Sequence, residues 1–280
     1  MNFESLETIL ECMPPANGKS DIQRIQTAHR YKLAKLWNIK EGDRVLEIGC
    51  GQGDTTAVLA YLVGEEGFVH AVDIAPPDYG SPITVGASAA YLKKSRLGKQ
   101  IKMEFEVDIL SSKTDFPERS FDVIVLSQCS WYLKSLEELN KILTKVRKWG
   151  KQLCYAEWDP RIKTIDQLSH LLATLIQAQY ECYKKNSSSN MRTLVTPNDV
   201  KSIAKNAGWT ITDEQSISSI ELQDAKWEVD MTLNGGKEVE KLNDMPIKFK
   251  SLINSELSLL EESIATNELK PLSIYSFIAH

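Results

Sequence analysis

Two hydrophobic periodicities alternate along the chain, and the alternation predicts an α/β protein. Arg44 to Ile48 reads as a short buried strand, because Val45, Leu46 and Ile48 bring β-branched and aliphatic bulk in sequence. Asp54-Thr55-Thr56 then supply helix-starting chemistry, and the apolar run that follows continues as helix. The same rhythm predicts strands over Gly67–Asp73, Lys102–Val107, Phe121–Ser127, Lys151–Trp158, Trp209–Ile217 and Pro271–His280. Helices are predicted over Ala87–Lys94 and Leu136–Lys148. Another helix starts at Thr196-Pro197-Asn198-Asp199, with Thr at the N-cap and Pro in the first turn, and Gly208 ends it.

Outside this core, the patterns are helical. Residues 1–20 predict a short helix followed by a turn at Met13–Gly18. Asp21 to Trp37 predicts an amphipathic helix with Ile22, Ile25, Leu33, Leu36 and Trp37 on one face, and His29 lies on that face too. Thr164 to Lys185 predicts a helix whose apolar side holds Ile165, Leu168, Leu171, Leu172, Leu175 and Ile176. His170 points away from that stripe, which favours a solvated position over one facing a pocket. The polar run Lys184–Asn190 reads as a hinge. Residues 218–268 hold two more helical stretches, broken by Asn234-Gly235-Gly236.

Composition narrows the classes. A chain of 280 residues, 42% hydrophobic and 25% charged, suits one large α/β domain or a domain with a lid. A net charge of −5 without a long Lys/Arg run does not indicate a nucleic-acid partner. No apolar segment approaches membrane-spanning length, and the start lacks the pattern of a signal peptide. The five cysteines are scattered singly, as in reduced thiols of a cytoplasmic protein. No metal-ligand cluster is visible, so no metal is expected.

The candidate chemistry sits after the first strand. Gly49, Gly51 and Gly53 fall at alternate positions in VLEIGCGQG, before a helix N-terminus. Strand, glycine turn and helix form a ligand cradle: the glycines admit close backbone approach, and the helix start presents unpaired N–H groups. The dinucleotide fingerprint is G-x-G-x-x-G/A, but the position three after Gly51 is Asp54. Glu47, just before the glycines, is also no part of that rule.

The run E-x-G-x-G-x-G resembles motif I of the class I S-adenosylmethionine-dependent methyltransferases. That resemblance covers roughly residues 40–217 plus the final strand. It implies a Rossmann-like seven-stranded sheet in the order 3-2-1-4-5-7-6 with only strand 7 antiparallel, and S-adenosyl-L-methionine as cofactor. Cys50 and the three glycines would line its methionyl and ribose side, and Glu47 would orient its amino-acid end. Asp73, with Ile74 beside it, would take the ribose hydroxyls. Asp108 and Ile109 would meet the adenine. Ser127 and the residues after it, through Tyr132, fall where the family contacts the methionine end and the incoming acceptor. The family's Asn/Asp-Pro-Pro-aromatic motif for base or glutamine acceptors is absent there, since Ser127-Gln128-Cys129-Ser130 stands instead. A small-molecule methyl acceptor is therefore expected.

The implied reaction is in-line displacement at the methyl carbon, toward O, N or C of the acceptor. A general base is needed only where the acceptor loses a proton, and His29, Tyr132, Glu157 and His170 are the eligible groups. The expected organisation is an N-terminal helical cap over residues 1–40 and a methyltransferase domain over 41–280. Helical insertions at about 160–195 and 218–268 would form a substrate lid. Two rivals remain at this stage: an NAD-dependent oxidoreductase on a similar fold, and an inactive partner protein that keeps the S-adenosylmethionine pocket.

Overall fold

The computed structural model describes residues 3–15, 20–184, 187, 189–218, 220–236 and 239–280. Seven strands form one sheet: β1 (Arg44–Ile48), β2 (Phe68–Val72), β3 (Ile101–Glu104), β4 (Phe121–Ser127), β5 (Gly150–Asp159), β6 (Ile211–Ile217) and β7 (Ser273–Ala279). Their order is β3-β2-β1-β4-β5-β7-β6. β1, β2, β3, β4 and β5 pair in parallel, and β7 runs antiparallel to both β5 and β6. This is the order the resemblance implied. The central strands read as nearly continuous apolar runs because helices cover both faces of a parallel sheet. Val45, Leu46, Val69, Ala71, Ile124 and Val125 accordingly have no exposed surface.

The helices that position the site are α1 (Phe3–Leu10), α2 (Ser20–Leu36), α3 (Asp54–Val63), α4 (Val85–Lys94), α5 (Leu136–Val146), α6 (Leu168–Glu181), α7 (Pro197–Asn206), α8 (Asp224–Gly236) and α9 (Ile247–Thr266). Their starts follow local chemistry. Thr84 and Ser135 cap α4 and α5 through their hydroxyls, and Thr196 and Asp199 cap α7 reciprocally. Trp37 follows α2, and its buried indole donates to Ser276 Oγ of β7 at 2.8 Å, which fastens the N-terminal helix to the far half of the sheet.

Three expectations need correction. The third strand stops at Glu104, well short of Val107, because Glu106 takes a left-handed φ of 58° and Val107 N–H turns to Asp73 O. Asp108 thus lies on a turn beyond the strand. The helix predicted over 164–185 is a short 3-10 turn followed by α6, and its buried stripe is not the leucine face. Ile165 is exposed, whereas Ala173, Ile176 and Tyr180 are buried together with His170, Thr174 and Gln177. His170 has no exposed surface, so it is not a solvated helix residue. Its Nδ1 accepts from Leu272 N–H at 2.9 Å, and its ring meets Trp158 edge-on.

Ala173, Ile176 and Tyr180 of α6 join Val229 of α8 and Ile253 and Leu260 of α9 in a second apolar cluster, separate from the core of the sheet. The three helices therefore pack as a unit of their own. Residues 16–18 of the turn expected at Met13–Gly18, and residues 185, 186 and 188 of the expected hinge, lie outside the described residues. All five cysteines are free. Among the described residues no helix is long and apolar enough to cross a membrane.

Candidate cofactor and acceptor site

The strand order reverses between β1 and β4, and the site lies at the carboxyl ends of the strands around that switch point. The three glycines after β1 serve different ends. A Cβ on Gly49 would stand 2.6 Å from Cys129 Cβ, and one on Gly53 would stand 2.6 Å from Leu92 Cδ1. Both are therefore required by packing. Gly51 has a φ of 51°, and a Cβ there would meet nothing within 4 Å, so its open side is available to a ligand.

Asp73 closes this turn. Its carboxylate accepts from Gly51 N–H at 2.7 Å and from Ala75 N–H at 2.9 Å, and each oxygen keeps a lone pair for a further donor. Ile74, next to it, is 65% exposed, an apolar surface that a flat ring would cover. Asp108 is exposed and its Oδ1 accepts from Leu110 N–H at 2.8 Å, while the Ile109 side chain is packed in the core. Cys50 is buried with its N–H turned to Val72 O. Ser127 Oγ, at the end of β4, is buried and has no hydrogen-bond partner among the described residues. An open glycine, a half-used carboxylate and an orphaned hydroxyl at one edge fit a nucleoside-bearing cofactor.

Glu47 lies beneath the turn. It is buried in β1 and accepts from Thr56 Oγ1 at 2.6 Å. Burial pushes its carboxyl up to about 8, so it holds a proton at neutral pH. Arg30 of α2 reaches the same corner: it donates to Gln26 Oε1 at 2.7 Å and stands 3.7 Å from Asp54 Oδ2. Sequence reasoning passed over Arg30. Its only signal was the polar pair Gln26/Arg30 one turn apart on an amphipathic helix. His29 beside it is buried, and burial with Arg30 and Lys32 nearby lowers its imidazole to about 4.

On the acceptor side, β4 passes through Gln128, with a φ of 52°, into a single helical turn at Ser130–Tyr132. Glu157 of β5 fastens that turn. One of its oxygens accepts from Ser130 N–H at 3.0 Å, Ser130 Oγ at 2.8 Å and Trp131 N–H at 3.3 Å, and the other accepts from Trp158 N–H. Burial raises the Glu157 carboxyl to about 7 against these bonds. Tyr132 ends the turn with 40% of its surface exposed, and partial burial followed by the Glu228 charge of α8 raises its phenol. Glu157 of β5 thus holds the turn that carries Tyr132. His170 stands apart from them, enclosed, its imidazole lowered to about 3 by burial. The charges of Glu228 and Asp224 of α8 add to the rise at Tyr132; both acids were missed, because nothing local in the sequence sets them apart from other helix-surface acids.

A family model described as a methyltransferase domain matches residues 39–208. The chain belongs to the class I S-adenosylmethionine-dependent methyltransferases. The methyltransferase fold extends beyond the matched segment. A crystal structure of a cyclopropane-fatty-acyl-phospholipid synthase-like protein from Lactobacillus casei is 32% identical and superposes with a TM-score of 0.87, covering 99% of this chain and 98% of that one. Among curated relatives, Methyltransferase phomM' of Diaporthe leptostromiformis is 30% identical over 48% of this chain and 40% of its own length. The ubiquinone/menaquinone biosynthesis C-methyltransferase UbiE of Vibrio campbellii is 28% identical over 60% of this chain and 66% of its own. The aligned region thus spans less than two thirds of these curated methyltransferases. S-adenosylmethionine is the family's cofactor, which sets aside the NAD-dependent reading.

Proposed function

We propose that this chain moves a methyl group from S-adenosylmethionine to a small-molecule acceptor by in-line displacement. When bound, the cofactor supplies a methyl carbon on a positively charged sulfur. The observation that carries the reading is Gly51, whose open face adjoins the half-used Asp73 carboxylate at the sheet's switch point. In this reading Asp73 receives the ribose hydroxyls, Ile74 lies against the adenine, and Asp108 accepts from its edge. Ser127 gives its orphaned hydroxyl to the methionine end. Glu47 and Arg30 hold the ammonium and carboxylate of that end.

Tyr132 lines the acceptor side and Glu157 positions it through the Ser130–Tyr132 turn. Glu157 is occupied by donors from that turn and His170 is enclosed, which leaves Tyr132 at the acceptor side; its raised phenol keeps its proton, so it serves the acceptor as a hydrogen-bond donor and not as a base. His29 belongs to the covering helix α2. The unit formed by α6, α8 and α9, which has its own apolar cluster, acts as the substrate lid. Water exclusion and alignment supply most of the rate, since the methyl donor is already activated.

The relative from Vibrio campbellii is named a C-methyltransferase. Carbon, nitrogen and oxygen acceptors all fall within this reading. The test is labelled methyl transfer into an extract of candidate metabolites, with S-adenosylhomocysteine titrated calorimetrically on the same sample. Binding with transfer supports the proposal. Binding without transfer into any fraction favours a catalytically inactive partner protein instead.

A further inference from the structure

Two polar side chains one turn apart on α2 touch different parts of the molecule. Arg30 Nη1 donates to Gln26 Oε1 at 2.7 Å, and Arg30 Nη2 stands 3.7 Å from Asp54 Oδ2. Gln26 Nε2 in turn donates to Asp224 Oδ2 at 2.8 Å. Asp54 is the first residue of α3, directly after Gly53 of the glycine turn, and Asp224 is the first residue of α8. A continuous polar chain, Asp54–Arg30–Gln26–Asp224, therefore crosses α2 from the glycine turn to the unit formed by α6, α8 and α9.

The chemistry of the partners gives this chain a direction. A guanidinium only donates and a carboxylate only accepts, so the Gln26 amide has one workable orientation between them. Turned over, it would set N–H against N–H at Arg30 and oxygen against oxygen at Asp224. Arg30 thus decides which way Gln26 points, and that choice decides whether α8 is held. What is held at Asp224 is held for α6 as well. Gln177 of α6 donates to Glu228 at 2.7 Å, and Thr232 donates to Ala173 O at 3.3 Å.

The opposite end of the chain is looser. At 3.7 Å the Arg30–Asp54 approach is an ion pair without a hydrogen bond, and 36% of the Asp54 side chain is exposed. One edge of the guanidinium is committed to Gln26 while the other remains open to a better acceptor. A carboxylate arriving there would make the charge-assisted bond that Asp54 does not.

We propose that Gln26 is a positioning residue that couples occupancy of the cofactor site to closure of the lid. With the cofactor's carboxylate on Arg30, the guanidinium is fixed, Gln26 is locked onto Asp224, and α8 is held over the cleft. With that edge of Arg30 unoccupied, the hold on α8 loosens. Binding is then ordered: the cofactor enters first, and the lid surface that meets the acceptor is completed afterwards. The inference rests on the methyltransferase reading, with Arg30 at the cofactor's carboxylate, and adds to it the link between the two sites.

The experiment follows amide hydrogen exchange of the full chain at pH 7.5, with and without saturating S-adenosylhomocysteine. In the native protein the ligand should slow exchange in α8 by about fivefold or more, the lower end of ordinary coupling between sites. Gln26→Leu removes both bonds of the amide and should abolish that slowing. Because coupling is reciprocal, it should weaken S-adenosylhomocysteine by a similar factor and no more. Gln26→Glu sets a carboxylate against Asp224 and should abolish the slowing too. Adding Asp224→Asn to Gln26→Glu restores a donor and an acceptor in exchanged places, keeps the native net charge, and should bring the slowing back. A bond that merely stabilises the fold would raise α8 exchange equally in the free and bound protein, leaving their ratio as in the native chain. That result, an α8 that does not respond to bound ligand in the native protein, or a double substitution that does not restore the response, overturns the inference and leaves the methyltransferase reading intact. Failure to bind S-adenosylhomocysteine at all overturns both.

Discussion

If Glu47 receives the cofactor's ammonium as proposed, cofactor binding should be coupled to a proton. The Glu47 carboxyl is buried beneath the glycine turn and is raised from an ordinary 4.5 to about 8, chiefly by burial and further by Asp54 and Asp73. At pH 7 it is therefore protonated in the free protein. Receiving the cofactor's ammonium requires the carboxylate, and one pH unit below that value ionisation costs about 1.4 kcal/mol, or tenfold in affinity. The dissociation constant for S-adenosylhomocysteine should fall about tenfold from pH 6 to pH 7 and level off above about pH 8. Below that plateau each binding event should release close to one proton, measurable by calorimetry in buffers of different ionisation enthalpy. Glu47→Gln should abolish both the proton release and the slope.

The stability of the free protein carries the same signature with the opposite sign. Between 4.5 and about 8 the folded state keeps a proton that the unfolded chain has lost. Stability then falls as pH rises through that window, by about 1.4 kcal/mol per unit from this group, and Glu47→Gln should flatten the fall. An affinity that is constant from pH 6 to 8, with no proton released by the native protein, would show that Glu47 does not receive the ammonium.

Other substitutions probe the scaffold. Glu157→Ala leaves the Ser130 and Trp131 donors without their buried acceptor; it should cost about 3 kcal/mol in denaturant unfolding and lower methyl transfer more than cofactor binding. Asp73→Lys removes the acceptor proposed for the ribose hydroxyls and should weaken S-adenosylhomocysteine by more than about a hundredfold, with far-UV circular dichroism unchanged. Undiminished binding would remove Asp73 from the cofactor site. Thr196→Ala deletes half of the reciprocal cap on α7 and should cost about 1 kcal/mol with transfer unaffected; equal thermal stability would show that Pro197 alone fixes that helix start.

Most of the sheet was legible because strand and helix alternate with short connections and because motif I fixes the first crossover. β4, for instance, runs from Phe121 to Ser127 as its apolar pattern predicts. Where the reading failed, tertiary pairing replaced local pattern. β3 ends early because Val107 N–H bonds to Asp73 O across the sheet edge, a contact no periodicity records. In α6 the polar residues are inside: His170 meets Leu272 N–H, Thr174 bonds back to His170 O, and Gln177 bonds to Glu228. A count of leucines cannot reveal a polar stripe that finds its partners on other helices. The acceptor side was invisible for the same reason, since Gln26 and Asp224 meet across 198 positions of sequence.

The central claim is that the cofactor lies against the open face of Gly51, and a matched pair of substitutions tests it. Gly51 and Gly208 both hold positive φ values, 51° and 85°, and a Cβ added to either meets no protein atom within 4 Å. Gly51→Ala and Gly208→Ala should each lower stability by about 1–2 kcal/mol, the cost of a left-handed alanine. In a calorimetric titration only Gly51→Ala should weaken S-adenosylhomocysteine, by about tenfold or more. Gly51→Ala binding S-adenosylhomocysteine as tightly as Gly208→Ala would contradict the account at its root.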